Sequence, residues 1–307
     1  MSLMALSLIV LLTACLSLVQ AFAQERLYEA TPLTAEKSFT GEIEGPAVDK
    51  DGTIYAVSFA RKPTIGRVSP DGKAELFLEM PNGSLGNGIR FDRDGRMYVA
   101  DYTNHNILLV NTKSRKVKVF AHNEALNQPN DLAITADGNF YASDPNWGKG
   151  TGQIWFVDRK LKEFRVVAKD MGTTNGIDLS PDGNTLYVNE SVQRNIWAFR
   201  VLPGGSLTDK RLLIQFPDFG FDGMRCDVKG NLYATRHGKG VVAKISPEGK
   251  VLREIPVLGM KPSNICFGGK DGRTAYVTEM EKGRLVQFRV EDPGIEWTRW
   301  PGRSQVR

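Results

Sequence analysis

The chain has 307 residues, 41% of them hydrophobic and 24% charged, with a formal net charge of +5 and a pI near 9.0. That is apolar material for one large core or two ordinary ones, and it excludes disorder and fibrous structure. Lys and Arg alternate with Asp and Glu and form no basic stripe interleaved with aromatics, so nucleic acid is not an expected partner.

The first predicted element is a leader. The opening "MSLMALSLIVLLTACLSLVQAFAQER" has no charged side chain before Glu25, and "AFA" at Ala21 to Ala23 is the small-x-small pattern that signal peptidases cleave. Residues 1–23 are therefore expected to be a signal peptide that exports the chain, leaving 24–307 as a single mature domain. Two other readings use the same residues. "LTAC", Leu12 to Cys15, resembles a lipobox with Cys15 as the acylated mature N-terminus. The apolar run also lacks a basic n-region and is nearly long enough to stay in a bilayer as an anchor. No other membrane contact is expected.

Beyond the leader the chain repeats itself. "EGPAVDKDGTIYAVS", "NGIRFDRDGRMYVAD", "NDLAITADGNFYASD", "NGIDLSPDGNTLYVNE", "DGMRCDVKGNLYATR" and "NICFGGKDGRTAYVTE" each read as strand, tight turn, strand. Their turn glycines, Gly52, Gly95, Gly138, Gly183, Gly230 and Gly272, are 43, 43, 45, 47 and 42 residues apart. A hairpin turn at these points needs φ > 0, which glycine adopts without steric cost. Between the units lie further strand pairs, such as "IGRVSPDGKAELFLEM" and "GQIWFVDRKLKEFRVVAKD". The expected fold is all-β: a six-bladed β-propeller with four antiparallel strands per blade, whose faces are buried only when the ring closes. Either "AEKSFTGEI" (35–43) or the tail "EDPGIEWTRWPGRSQVR" (291–307) would supply the closing strand.

Eight residues before each turn glycine stands an oxygen-bearing side chain: Glu44, Asn87, Asn130, Asn175, Asp222 and Asn264. Repeat symmetry puts these at one height in every blade, and strand alternation puts Ile89 with Phe91, and Ile177 with Leu179, on one face of their strands. If the innermost strands begin here, the six side chains converge on the propeller axis. Two carboxylates and four carboxamides gathered there call for a divalent cation, best Ca²⁺, with Mg²⁺, Mn²⁺ or Zn²⁺ as alternatives. Asn and Asp also cap backbone groups at strand entrances, but that use would admit Ser and Gly, and it does not predict Glu44.

A second column, Ser58, Asp101, Asp144, Glu190, Arg236 and Glu279, ends the second strand of each unit and fits either the outer pocket or an exposed strand end. Cys226 and Cys266 read as buried apolar residues that an oxidising compartment could join. Chemistry without a metal finds little support: there is no G-x-S-x-G elbow, His105, His122 and His237 lack zinc-ligand spacing, and only a His105–His122 pair would offer a base.

The motifs "EGPAVD", "QPNDLAITADGNFYASDP", "TNGIDLSPDGNTLYVNES", "DGMRCDVKGNLYAT" and "PSNICFGGKDGRTAYVT" together resemble the senescence marker protein, gluconolactonase and luciferin-regenerating enzyme family. The resemblance runs from about Glu44 to Thr278. It implies a six-bladed propeller with a divalent metal in its central tunnel and hydrolysis of a lactone or related ester. It also implies Glu44, Asn175 and Asp222 as metal ligands, Asn130 as ligand or substrate contact, and Asp222 as the catalytic proton acceptor. Asn87, Asn264, Gln128 and Asp144 are the further candidate substrate contacts. At Gln128 the sugar-lactone hydrolases of the family carry an arginine, whose charged bidentate grip on hydroxyls a neutral amide does not reproduce. The expected partner is therefore a small lactone or ester that need not be gluconolactone. A phosphotriesterase-like hydrolase and a non-catalytic binding propeller are the competing readings.

Overall fold

The six repeat glycines all have positive φ, between 73° and 89°, so each unit turns where the spacing predicts. The computed structural model describes residues 25–303; the leader with Cys15 lies outside the described residues. Six four-stranded antiparallel sheets follow one another around an axis. The innermost strands are Phe39–Val48, Gly86–Phe91, Leu132–Ile134, Thr174–Leu179, Met224–Cys226 and Pro262–Gly268. Each packs against the innermost strands of both neighbouring blades.

This close approach explains a feature of the repeats beyond their turns. In four blades the residue after the axial column is glycine: Gly45, Gly88, Gly176 and Gly223. A Cβ on Gly45, which has φ +57°, would lie 1.9 Å from the Asn87 carbonyl oxygen, and one on Gly223 would lie 2.0 Å from the Asn264 side chain. Backbone bonds cross from blade to blade here, with Gly88 N donating to Asn130 O (2.8 Å) and Gly176 N to Asp222 O (3.0 Å).

Between neighbouring blades lie six apolar clusters. Ile89 and Phe91 share the cluster between the first and second blades, and Ile177 and Leu179 that between the third and fourth, as strand alternation requires. The fourth strand of each blade is outermost and the least buried, as in Val251–Pro256.

The ring is closed by neither of the expected segments. Thr31–Pro32 pairs antiparallel with Arg284–Arg289 as the outer strand of the sixth blade, with Leu27 bridging to Arg289. "AEKSFTGEI" instead leads into the innermost strand of the first blade, because Ile43 and Glu44 must reach the axis. The tail crosses the face that carries the turn glycines. Ile295–Thr298 forms a short helix, the Trp297 indole N–H donates to Gly269 O (3.1 Å), and Trp300 packs on Phe91. No helix among the described residues is long and apolar enough to cross a membrane. Cys226 and Cys266 are free thiols buried in different clusters.

Candidate active site at the propeller axis

Because each innermost strand runs from the axial column toward its turn glycine eight residues on, the column and the tail lie at opposite ends of the axis. Glu44, Asn87, Asn130, Asn175 and Asp222 line one cavity of about 380 Å³, with Tyr102, Trp147 and Met280. A second lobe of about 500 Å³ shares Asn175, Asp222, Trp147 and Met280 and adds Ser191, Val192, Phe219 and His237. Asn264, the sixth member, lines neither lobe. It is buried behind Gly223, and its Nδ2 donates to Glu44 Oε2 at 3.0 Å.

These side chains form a connected set. Asn175 Nδ2 donates to Asp222 Oδ1 (2.9 Å) and Ser191 Oγ (3.0 Å), and the Asp222 carboxyl lies within hydrogen-bonding reach of Glu44. The backbone N–H of Gly45 donates to Glu44 Oε2 (2.8 Å), and Asn189 Nδ2 fixes the Asp222 carbonyl (2.7 Å). Burial pushes the Glu44 carboxyl up to about 7 against these donors. Burial and then the Glu44 charge push Asp222 well above its ordinary range. The two carboxyls therefore share protons when no cation lies between them.

The donor set fits a hard divalent cation. Asn175 Oδ1 is buried with no hydrogen-bond partner, a state that costs free energy unless something else accepts its lone pairs. Among the described residues no three carboxylate, imidazole or thiol groups converge, so a cation here would rest on two carboxylates and amide oxygens. Oxygen-only donors of low charge suit calcium.

One layer below lies an ionic floor that the repeat reading passed over. Asp131 occupies the place of the axial glycine in the third blade, and its carboxylate meets Arg90 Nη1 (2.9 Å) and Arg225 Nη1 (3.0 Å). Burial alone would raise Asp131, but the two guanidinium groups outweigh it and hold it below its usual range. Glu296, carried in by the tail, faces Arg225 at 3.5 Å and seals the axis from the opposite face. The sequence signal was weak: charged residues stand one or three places after the column in four blades, as Arg90, Asp131, Asp178 and Arg225, of mixed sign and at no single register position.

Of the second column only Ser58 lines the pocket; the other five do not reach it. Asp144, expected as a substrate contact, is fully buried and accepts from Asn127 N, Gln128 N, Gln153 Nε2 and Trp155 Nε1 at 2.7–3.0 Å. Asp101, Glu190 and Glu279 brace backbone N–H groups in the same way. Arg236 inverts the device by donating to the carbonyls of Asp218 and Phe219. Gln128 is half-buried and lines neither lobe. His105 binds Leu126 O, and His122 binds Asn106 and Glu124, so the two do not pair. His237 does line the cavity, where burial depresses its basicity. Tyr102, Trp147 and Phe219 escaped the sequence reading, and His237 was set aside there, because they sit in loops outside the repeat register.

A family model described as SMP-30/Gluconolactonase/LRE-like region matches residues 43–281, from the first axial strand to the sixth blade. A gluconolactonase of Zymomonas mobilis is 28% identical over 81% of this chain and 79% of its own. Among solved structures, a gluconolactonase from Xanthomonas campestris superposes with TM-score 0.74 at 23% identity, covering 85% of this chain and 89% of its own. A calcium-binding regucalcin from Agrobacterium tumefaciens does so with TM-score 0.75 at 20% identity, covering 86% and 94%. At such identities the structural likeness speaks for the fold, while the match across most of the repeats speaks for descent. The chain belongs to the SMP-30/gluconolactonase/LRE-like family.

Proposed function

We propose that this protein is an exported, metal-dependent hydrolase that opens a lactone or related ester. The observation that carries the reading is the Glu44–Asp222–Asn175 constellation: two buried carboxyls in contact beside an amide oxygen that has no partner. Such an arrangement is costly in an empty core and is expected where a cation and a reacting group meet. Glu44, Asn130, Asn175 and Asp222 would hold a divalent cation, calcium by its donor set, and the bound ion would polarise the lactone carbonyl and offset the charge of the oxyanion. The calcium-binding regucalcin and the gluconolactonases among its relatives support this assignment.

In this reaction Asp222 takes the proton of the attacking water as the new C–O bond forms at the carbonyl carbon. It returns that proton to the ring oxygen when the ring C–O bond breaks, so a lactone and a water become a hydroxy acid. Asn175 aims the Asp222 carboxylate through its 2.9 Å hydrogen bond, and Asn264 with Gly45 N–H orients Glu44. Asn87 and Asn130 line the cavity and would donate to substrate oxygens. Export rests on the leader sequence, and the mass of the mature protein tests it.

Metal analysis of the purified protein, followed by a lactone panel with and without chelator, tests the whole reading. Stoichiometric calcium and chelator-sensitive hydrolysis are expected, with Asp222→Asn lowering kcat at least about 100-fold. Full hydrolysis by metal-free protein would refute it. Phosphotriesters in the same panel separate the neighbouring chemistry. An Asp222→Asn protein that keeps its metal and every wild-type property would mark a binding propeller.

A further inference from the structure

The exposed apolar side chains are unevenly placed. Ten large hydrophobic residues among those described are exposed. Val119, Leu161, Leu212, Val251 and Leu252 lie on outermost strands or the turn before one, scattered as such residues normally are. The other five, Trp147, Val192, Phe219, Leu258 and Met260, all stand on loops at the end of the axis where the cavity opens. Trp147, Val192 and Phe219 line the cavity itself, 39%, 62% and 46% exposed. A Cβ on Gly238 would lie 3.1 Å from the Phe219 ring, Gly238 N donates to Met260 O (2.8 Å), and Gly240 approaches the Met260 sulfur. Gly238 thus stands between Phe219 and Met260 at the mouth, and Phe221 and Met280 line the cavity further in, with Asp222.

The cationic groups on the walls are already engaged. Lys62 pairs with Glu42, and Arg194 Nη1 donates to Pro217 O (3.0 Å). The neutral Gln128 stands off the cavity, its backbone N–H held by Asp144. A polyhydroxylated ring would meet few free charged donors here and would leave the rim wet.

We propose that the substrate is a lactone carrying an apolar substituent, an alkyl or aryl group that lies along Trp147, Val192 and Phe219 while the ring oxygens face Asp222, Asn130 and Asn175. This rests on the lactonase reading and narrows it. Burial of each methylene by such a rim is worth about threefold in binding or kcat/KM.

The test compares γ-butyrolactone, γ-octalactone and glucono-δ-lactone for hydrolysis by calcium-loaded protein, and the matching γ-alkyl lactams, which are not hydrolysed, for binding by calorimetry. From the parent ring to the four-carbon chain, kcat/KM and lactam affinity should each rise about 50-fold or more. Phe219→Ser and Val192→Ser, both at exposed loop positions, should each cut that long-to-short ratio about tenfold. A ratio near one in both measurements, or one unchanged in both variants, overturns the proposal even if lactones are hydrolysed. Lactam affinity that climbs with chain length, without turnover of any lactone, sustains the apolar subsite and removes the lactonase reading instead. A rim that seats a second copy of the chain would give concentration-dependent dimers in sedimentation and no chain-length dependence, which also overturns it.

Discussion

Glu44→Gln should make the chelator-treated protein more stable and abolish its stabilisation by calcium. Glu44 is 7% exposed, and its carboxyl titrates at about 7 in the fold against 4.5 in the unfolded chain. Between those values the folded chain binds more protons than the unfolded one, so stability falls as pH rises through that window. The loss is complete above about pH 7 and amounts to about 3 kcal/mol at about 1.4 kcal/mol per tenfold change. Glutamine keeps an oxygen for Gly45 N–H and the Asn264 amide and presents an uncharged group to Asp222. In urea unfolding with chelator, the variant should match wild type at pH 4 and exceed it by about 3 kcal/mol at pH 8, about 5 to 10 °C in Tm. With calcium at 100 times its Kd, wild type should gain about 2.7 kcal/mol and the variant almost nothing. Stability curves that superpose at every pH in chelator would refute the claim that Glu44 is an uncompensated buried acid.

Gly223→Ala drives a Cβ to 2.0 Å from the Asn264 side chain, which must leave Glu44; calorimetry should show calcium affinity reduced about 10- to 100-fold, the usual effect of losing a group that orients a ligand. Arg225→Met strips one of two partners from the fully buried Asp131 and leaves Glu296 facing an apolar chain. Chemical denaturation should register a loss of about 3 to 5 kcal/mol. The double variant Arg225→Met/Asp131→Asn should recover part of it.

Much of the fold could be read directly because propeller geometry imposes a period. A glycine at φ > 0 every forty-odd residues marks the hairpins, and counting back from it finds the axial column. Closure could not be read in this way: Thr31–Pro32 is too short to carry an alternating pattern, and it is recognised as a strand only by its register on Gln287 and Val286. The second column misled for another reason. A carboxylate at a strand end has the same sequence whether water or a ring of backbone N–H groups surrounds it, and Asp144 turned out to be enclosed. The rim was hidden because Trp147, Val192 and Phe219 occupy loops whose length the repeat leaves free.

The two layers at the axis bear on each other. Six strand starts brought to one centre leave little space, and any charge placed there is buried. In the lower layer the chain balances its charges: Asp131 meets two arginines, and Glu296 reaches one of them from the tail. In the layer above, Glu44 and Asp222 face each other with amides around them, although Arg90 and Arg225 stand only three residues beyond the column on their strands. A core built for stability alone would treat both layers alike, since a guanidinium in the upper layer would remove the same penalty. Leaving the upper carboxyls uncompensated is a persistent cost of order kcal/mol, and such costs concentrate where a bound ion and a reacting group are to be received.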